Sequence, residues 1–392
     1  MIERIAAQTL RFRASQFRVV TVTGPRQAGK TTLCCVAFPD KPYLSLERPD
    51  VLDYATRDPA GFLASVPDGA ILDEVQRAPA LLSWLQDDVD RNRQPGRWIV
   101  TGSHHLALHA AVSQSLAGRT ALLSLLPFDL DESERAAGPA PTPWHAVWRG
   151  GYPEPLAQGM DLPAWLSSYV GTYLERDVRE VIRVTDLVTF QGFLRLCAAR
   201  SGQLLNLSAL AQDAGVSQPT AKAWFSALEA TFVVFRAPPW HANLGKREVK
   251  TPKLFFWDTG LACWLLRILA AEQLELHPLR GALFENWVAV ELAKSFLHRG
   301  QPHDLAFFRD HKGFEIDLVR EAADRVLAVE VKSSATASAE FFRLLTPFAG
   351  LVRDKRPDLP RVDAVAVYAG REDQARTVGR IVGWRSVGQV GR

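Results

Sequence analysis

The sequence has few cysteines, no long apolar run and little net charge, and each shortage excludes a class of protein. Only four cysteines occur among 392 residues, and no two of them have the C-x-x-C spacing of many zinc sites. Neither a zinc ribbon nor a disulfide framework is therefore indicated, which fits a reducing cytoplasm. No apolar run reaches the roughly 18 residues that a membrane-spanning helix needs, and residues 1–16 lack the apolar core of a secretory signal. We therefore expect a cytoplasmic protein without a membrane partner.

The composition is that of an ordinary globular protein. Hydrophobic residues make up 47% and charged residues 23%, and 46 basic against 43 acidic side chains give a net charge of +3. So small an excess means that any nucleic-acid contact must come from a local basic patch. Two irregular stretches, residues 131–145 and 236–253, suggest joints. The expected domains are residues 1–145, 146–240 and 241–392.

A glycine-rich loop follows an apolar run near the start of the chain. The run, residues 18–23, is β-branched and predicts a buried strand, and a helix is predicted directly after the loop. The phosphate-loop pattern G-x-x-x-x-G-K-[ST] is completed by Gly24, Gly29, Lys30 and Thr31. Glycines let backbone N–H groups approach phosphate oxygens, and the helix points its positive end at the same anion. The stretch therefore predicts a nucleotide-phosphate site.

The residue types assign roles around ATP and Mg²⁺. Lys30 is expected to reach the β- and γ-phosphates, and the Thr31 hydroxyl is expected to ligate Mg²⁺. A short apolar strand ends in Asp73, a predicted Mg²⁺ ligand, and Glu74, a predicted general base for the attacking water. The residues expected to bind ATP are Gly24, Pro25, Arg26, Gln27, Ala28, Gly29, Lys30, Thr31, Thr32 and Ser103.

Two further residues have alternative interpretations. Ser103 follows a third apolar strand, where it either senses the γ-phosphate or caps the next helix. Arg119 precedes another apolar strand, where it either stabilises the charge of the transferred phosphate or makes an ordinary surface ion pair. A catalytic Arg119 acts in its own subunit or in a neighbour's, so a homo-oligomer stays open. With Lys30 and Glu74 it completes the predicted catalytic set.

The nucleotide motifs resemble those of the AAA-type ATPases of bacteria and archaea. The matching stretches are the loop at 24–31, LDE at 72–74, TGS at 101–103 and LAGR at 116–119. Three later stretches resemble the domain of unknown function that follows the ATPase in one large prokaryotic family: GGYPE at 150–154, YLERDV at 173–178 and KLFFWDTGL at 253–261. The resemblance implies an α/β fold with a parallel P-loop sheet, ATP binding with hydrolysis, and a link to nucleic acid.

The middle of the chain predicts a helical region that contains a winged helix. A short amphipathic helix surrounds Leu210, Gly215 allows a tight turn, and Ser217 is placed to cap a second helix. A β-branched run then predicts the wing strand. The exposed positions of the second helix include Gln218, Thr220 and Lys222. Either they contact DNA or the element only packs against the ATPase, because DNA phosphates usually attract several cations.

The last third predicts a small α/β domain with a carboxylate site. Strict alternation along the second of its predicted strands puts Ile316 and Leu318 on one face and Asp317 on the other. Along the next strand, Glu330 and Lys332 share a face, so the carboxylates of Asp317 and Glu330 can meet and hold a second Mg²⁺. The order resembles the PD-(D/E)xK core of restriction-endonuclease-like domains, with matching residues Glu285, Asp317, Glu330 and Lys332. Such a site either cuts nucleic acid, binds it without cutting, or is only a polar sheet edge.

Three functions follow from these patterns. The first is a Mg²⁺-dependent ATPase coupled to the binding or remodelling of DNA. The second is an ATP-dependent nuclease of DNA repair or defence. The third is a regulatory switch that binds ATP without turning it over. A small-molecule kinase is disfavoured because the later segments are too large for a substrate lid.

Overall fold

A five-stranded parallel sheet organises the N-terminal third of the computed structural model, which describes residues 2–103, 115–174, 186–241, 250–359 and 361–391. The strands are β1 (Val19–Thr23), β2 (Tyr43–Ser45), β3 (Ile71–Asp73), β4 (Trp98–Gly102) and β5 (Thr120–Ser124), in the spatial order β2-β3-β4-β1-β5. The helices are α1 (Ala6–Ala14), α2 (Lys30–Ala37), α3 (Pro49–Arg57), α4 (Pro59–Ala64) and α5 (Leu81–Arg91), with a 3₁₀ turn at Val75–Arg77. Every residue of β1 and β4 is buried, as is typical of parallel strands that helices cover on both faces.

The carboxyl ends of these parallel strands share one edge of the sheet. Thr23 ends β1 there and leads into the glycine loop, Asp73 ends β3 there, and Gly102 ends β4. Open α/β sheets bind their ligands at this edge. The predicted parallel sheet is thus confirmed, with β4 between the loop strand and the acidic strand.

Helices fill the middle of the chain: α6 (Leu130–Ala137), α7 (Pro143–Arg149), α8 (Pro153–Gln158), α9 (Leu162–Tyr169), α10 (Leu187–Ala199), α11 (Leu207–Ala214) and α12 (Gln218–Ala230). A π-helical turn, Val170–Leu174, continues α9, and residues 175–178 of the YLERDV stretch lie outside the described residues. Gly215 ends α11 with a positive φ of 68°, and Ser217 Oγ accepts a hydrogen bond from the Thr220 N–H at 3.2 Å to begin α12. The predicted turn and cap between the two helices are present.

A two-stranded antiparallel sheet follows α12. It pairs β6 (Val234–Ala237) with β7 (Lys253–Phe256), and the short helices α13 (Thr259–Leu265) and α14 (Ala271–Leu276) come next. The pairing crosses the boundary expected between residues 240 and 241, so a division there would separate two hydrogen-bonded strands. The predicted order of helix, turn, helix and strand is present, but the winged helix itself and its contact with DNA stay predictions.

The C-terminal part is a six-stranded mixed sheet with helices on both faces. Its elements are α15 (Arg280–Leu297), β8 (Ala306–Arg309), β9 (Glu315–Glu321), β10 (Arg325–Lys332), α16 (Leu345–Lys355), β11 (Arg361–Tyr368), β12 (Gln374–Arg376) and β13 (Gly379–Gly383), with 3₁₀ turns at Ala339–Phe342 and Trp384–Gln389. The spatial order is β12-β13-β11-β10-β9-β8. Residues of α15 pack in one core with Val329, while residues of α16 pack in another with Ala328. No helix within the described ranges combines the length and apolar character needed to cross a membrane.

The strict alternation predicted for β9 is wrong at its centre. Ile316 packs in the core under α16, together with Val319, whereas Leu318 packs in the opposite core with Val329. The pairing register of β9 with β8 shifts along this stretch. Such an irregularity inserts a residue, and the side chains beyond it exchange faces.

Candidate nucleotide site and carboxylate cluster

The glycine loop after β1 is shaped by two backbone positions that only glycine satisfies easily. Gly24 has φ +149°, and a Cβ there would lie 1.9 Å from the backbone oxygen of Leu125. Gly29 has φ +86° and directly precedes α2. Buried Lys30 folds back over the loop, because its Nζ donates hydrogen bonds to the carbonyls of Gly24 (2.9 Å) and Pro25 (2.8 Å). The loop is therefore held in shape by the lysine that is expected to bind phosphate.

Asp73 gathers three hydroxyl groups at the end of β3. Thr31 Oγ1 donates to its Oδ2 at 3.0 Å, the Tyr43 hydroxyl donates to the same oxygen at 2.7 Å, and the Thr101 hydroxyl donates to Oδ1. The predicted metal ligands Thr31 and Asp73 are thus in direct contact. Mg²⁺ prefers oxygen ligands, often one or two protein groups beside substrate phosphates. The oxygens present here fit that ion.

Glu74, next along the chain, is held in an unusual conformation. Its φ of +57° lies in the left-handed region that non-glycine residues seldom adopt, a feature that often marks functional sites. Ser103 Oγ donates to its Oε1 at 2.6 Å, and the Gln76 amide donates to Oε2. Burial alone would raise the pKa of this carboxyl, but Lys30, Ser103 and nearby charge outweigh burial and lower it. Glu74 is therefore ionised, as a general base must be before it accepts a proton.

The structure places Ser103 and Arg119 differently from one another. Ser103 donates a hydrogen bond to Glu74 and so contacts the predicted base directly. Arg119 precedes β5, whose first residue pairs with Val19 at the amino end of β1, whereas the glycine loop follows the opposite end. There it forms a two-pronged ion pair with Asp90, at 2.8 and 2.7 Å. Within one subunit, the length of the sheet separates Arg119 from the glycine loop. Arg119 is therefore not placed to act on a nucleotide bound at the loop of its own subunit.

Two adjoining cavities open at the loop. The first, about 430 Å³, is lined by Arg26, Gln27, Gly29, Lys30, Thr31, Thr32, Glu47 and Glu74. The second, about 650 Å³, shares Gln27, Gly29 and Thr32 with the first but is mostly apolar, with walls from α1, α2 and the GGYPE segment. A polar space beside an apolar one suits the phosphate and nucleoside ends of a nucleotide.

The GGYPE segment is anchored by a residue of the KLFFWDTGL stretch. Buried Asp258 accepts hydrogen bonds from the Gly151 N–H at 2.8 Å and, at the start of α13, from the Leu261 N–H at 2.9 Å. The Phe128 N–H also donates to the Gly151 carbonyl at 2.7 Å. These bonds hold Pro153 and the following helix against the larger cavity. Both motifs therefore act structurally on the wall of the nucleotide site.

A second cluster of charges lies in the C-terminal part, and it brings the four predicted residues together. Lys332 Nζ forms an ion pair with Glu330, and Asp317 Oδ2 accepts a hydrogen bond from the Val331 N–H at 2.7 Å. A residue that the sequence did not single out, Lys253 of β7, contacts Glu285 at 2.8 Å and Glu315 at 2.6 Å. The cluster therefore joins elements from three separate stretches of chain.

The burial and mutual repulsion of the carboxylates in this cluster favour the binding of a proton or a divalent cation. Burial and the charge of Asp317 raise the pKa of Glu285 to about 8 and of Glu330 to about 7. Burial also raises the pKa of Asp317. Glu330 is only 3% exposed, and its Oε2 has no hydrogen-bond partner among the described residues. A buried oxygen without a partner is costly, so a proton or a divalent cation would stabilise it.

A buried polar network connects the glycine loop with the far end of α15. Arg4 donates to the carbonyls of Ala28 (2.8 Å) and Leu126 (2.7 Å), and its Nε lies 3.0 Å from Glu132. The Leu126 N–H donates to His298 Nε2 at 3.2 Å, and Lys294 donates to the Phe128 carbonyl at 2.7 Å. Since α15 carries Glu285 near its start, one rigid helix joins this network to the C-terminal cluster.

Sequence reasoning missed Tyr43, Lys253 and Arg4 as members of these sites. Tyr43 lies in a three-residue edge strand, and its contact with Asp73 spans 30 residues. The only signal for Lys253 was its place at the start of the KLFFWDTGL stretch. Arg4 carried no signal, because its partners are 24 to 128 residues away. Long-range contacts of this kind have no local pattern.

Comparison with known families agrees with the N-terminal site. Residues 16–134 match the model of an AAA domain, residues 143–272 match a domain of unknown function (DUF8612), and residues 280–386 match a domain of unknown function (DUF4143). The parallel sheet, the glycine loop and this match together define an ATP-binding P-loop domain of AAA type. The predicted AAA-type ATPase and the C-terminal domain of unknown function are confirmed.

Two curated mycobacterial proteins are similar over most of their length. They are "Uncharacterized protein Rv2008c" of Mycobacterium tuberculosis and "Uncharacterized protein Mb2031c" of Mycobacterium bovis, each 34% identical over 340 residues, or 86% of this chain and 75% of the relative. Identity at this level and coverage shows that the protein belongs to the same family as these two.

Solved structures show weaker similarity. The Walker-type ATPase PABY2304 of Pyrococcus abyssi has 16% identity and a TM-score of 0.42, covering 67% of this chain and 94% of its own. AMPPCP-bound DnaA of Aquifex aeolicus has 13% identity and a TM-score of 0.31, covering 57% of this chain and 86% of its own.

Proposed function

We propose that the protein is a Mg²⁺-dependent ATPase whose nucleotide state is coupled to DNA binding by its later domains. The observation that carries the ATPase is the meeting of Lys30, Thr31, Asp73 and Glu74 at one edge of the parallel sheet. Lys30 is placed for the phosphates, and Thr31 with Asp73 would hold Mg²⁺, which offsets phosphate charge when bound. Glu74 is placed to take a proton from the attacking water.

The coupling is supported by the buried network through Arg4. A nucleotide that changes the glycine loop acts on the Ala28 carbonyl, which Arg4 holds. Arg4 also holds Leu126 and Glu132, and the backbone of Leu126 contacts His298 beyond the end of α15. Nucleotide-dependent switches commonly convert such local contacts into domain movement. The same helix α15 reaches the C-terminal cluster.

The DNA contact is supported by the predicted winged-helix element, which runs from α11 through α12 to β6. Its second helix, α12, buries Trp224 and Phe225 and exposes Gln218 and Lys222 on the outer side. A helix presented this way can enter a major groove, and a lysine on it can contact phosphate.

The test measures ATP turnover with single-stranded, duplex and branched DNA for the wild type and for Lys222→Glu. We expect one form of DNA to raise turnover of the wild type several-fold, and the reversed charge to weaken that response through lost phosphate contact. Arg57→Glu is the matched control, since Arg57 makes an exposed pair on α3, far along the chain from this element. Turnover that no DNA structure changes would contradict the coupling. ATP binding without turnover would favour the regulatory switch instead.

A second candidate function is an ATP-dependent nuclease, favoured by the unpartnered buried oxygen of Glu330. Asp317 and Glu330 would hold a divalent cation, and Lys332 would orient a water or offset phosphate charge. Lys253 already neutralises part of the cluster through Glu285 and Glu315. DNA cleavage by the wild type that disappears in Asp317→Ala and in Lys332→Ala would support this function. Cleavage that survives both changes would exclude this cluster as its source.

Binding of Mn²⁺ at this cluster should strengthen as pH rises from 6 to 8.5. The raised pKa values mean that Glu330 and Glu285 hold protons at pH 6, which a cation must displace. Affinity should therefore rise by about tenfold per pH unit for each proton released. Titration calorimetry in an Asp73→Asn background, which weakens the nucleotide-site ligands, measures this.

The control for this titration is the same background with Asp317→Asn added, which should abolish the pH-dependent binding. Affinity that does not change with pH, or that survives loss of Asp317, would mean that the cation binds elsewhere.

A further inference from the structure

We propose that Arg26, inside the glycine loop, is the arginine that neutralises the charge of the transferred phosphoryl group within the same chain. The proposal rests on the proposed ATPase function and adds a catalytic residue to it. Phosphoryl transfer commonly uses an arginine, because negative charge spreads over three oxygens of the reacting group. Arg119 cannot serve its own site, since it lies at the amino end of the sheet and pairs with Asp90.

The position of Arg26 in the cleft carries the proposal. It lines the cavity of about 430 Å³ together with Lys30, Thr31 and Glu74, and its side chain is only 11% exposed. Among the described residues, no other arginine lines this cavity. The Arg26 side chain thus already borders the space where the phosphates would bind.

One of the contacts of Arg26 is a weak ion pair with Glu47. Its Nη1 lies 3.5 Å from Glu47 Oε1, and the Glu47 side chain is 46% exposed. A long ion pair to an exposed carboxylate is worth little. A γ-phosphoryl group carries more charge and accepts two parallel N–H donors, so it competes well for a guanidinium. The pair with Glu47 therefore does not prevent Arg26 from binding a γ-phosphoryl group in the same cavity.

Arg26 shares its cavity with the proposed base. Glu74 lines the same space of about 430 Å³. Lys30, the other cation lining the cleft, already donates to two carbonyls of the loop. Arg26 is thus close to both the base and the site of reaction.

The reaction assigns each group a balanced part. A water oxygen bonds to the γ-phosphorus while the bond from that phosphorus to the β,γ-bridging oxygen breaks. The bonding electron pair stays on the bridging oxygen of ADP, and the water gives its proton to Glu74. Arg26 donates hydrogen bonds to the equatorial γ-oxygens as their charge rises, and it gives up no proton. The products are ADP and inorganic phosphate.

The test compares Arg26→Ala and Arg26→Lys in single-turnover hydrolysis and in two binding measurements. The probes are a non-hydrolysable ATP analogue, which mimics the ground state, and MgADP with aluminium fluoride, which mimics the transferring phosphoryl. We expect Arg26→Ala to lower the hydrolysis rate on the order of 10³-fold. It should weaken the aluminium fluoride complex far more than the ATP analogue. Arg26→Lys should recover only part of the rate, because an ammonium lacks the two-pronged geometry.

Arg48→Ala is the matched control, because Arg48 follows Glu47 in the chain but its side chain is 68% exposed and pairs with Asp50. It should hydrolyse ATP as the wild type does. An Arg26→Ala variant with full activity would overturn the proposal while leaving the ATPase intact. So would equal losses for both probes, which would make Arg26 a ground-state ligand. A wild type without turnover would overturn the ATPase proposal itself, and this one with it.

Discussion

Replacing Glu74 with glutamine should stop ATP turnover and leave ATP binding intact. The amide cannot take a proton from water, and loss of a general base typically costs about 10²- to 10⁴-fold in rate. The shape is nearly unchanged, because the glutamine oxygen can still accept the hydrogen bond from Ser103. Lys30, Thr31 and Asp73, which are placed for the phosphates and Mg²⁺, keep their own contacts. Phosphate release and fluorescent-nucleotide binding measure the two properties separately.

The backbone conformation of Glu74 also supports the expected loss of turnover in Glu74→Gln. A left-handed backbone at a glutamate costs free energy that the surrounding contacts must offset. Such a cost makes sense if it aims the carboxylate at a substrate. Asp87→Asn is the control, since it makes the same chemical change at an exposed residue of α5. Wild-type turnover by Glu74→Gln would contradict the assignment of the base.

Replacing Arg4 with alanine should destabilise the whole protein. Glu132 has no exposed surface, and the change would leave its carboxylate buried without its cation. Breaking a buried ion pair on one side costs about 3–5 kcal/mol in the free energy of unfolding. Arg57→Ala removes an exposed pair instead, and should cost less than about 1 kcal/mol. Urea denaturation of the three proteins measures the difference.

The double variant Arg4→Ala with Glu132→Gln tests the cause. Burial tends to raise the pKa of Glu132, but Arg4, His298 and the Ile5 N–H outweigh it and lower the pKa. A carboxyl with a lowered pKa stabilises the protein above its unfolded pKa, and that contribution is lost as pH falls. The double variant should recover part of the lost stability at neutral pH and lose part of the acid sensitivity. A double variant as unstable as Arg4→Ala would show that charge burial is not the cause.

The same double variant addresses coupling. Its turnover without DNA is the baseline for this comparison, because Glu74 and Lys30 are unchanged while Arg4 contacts the glycine loop. Its response to DNA should fall, because the link from Ala28 to Leu126 is gone. A full response to DNA would remove Arg4 from the coupling path while leaving the ATPase proposal untouched.

The sequence was enough to predict those features of the structure that depend only on residues close together along the chain. The strand, the glycine loop and the helix from β1 to α2 could be predicted because the positive φ angles of Gly24 and Gly29 are requirements of their own segment. Gly215 and Ser217 behave likewise, since a turn and a cap involve residues within four positions. The resemblance to a nuclease-like core predicted that Glu285, Asp317, Glu330 and Lys332 lie together, as they do, while the nuclease-like nature of the domain stays a prediction.

Only the tertiary structure decided which distant side chains meet. The pairing of β5 with β1 put Arg119 at the amino end of the sheet, away from the glycine loop, and nothing in LAGR indicates that pairing. A register shift divided Ile316 from Leu318, which strict alternation joins. Packing brought Lys253 between two glutamates and Arg4 to Glu132, 128 residues away. Sequence alone therefore determined the chemistry that the protein carries, while packing determined which of those groups act together, because burial and charge pairing depend on contacts between remote segments.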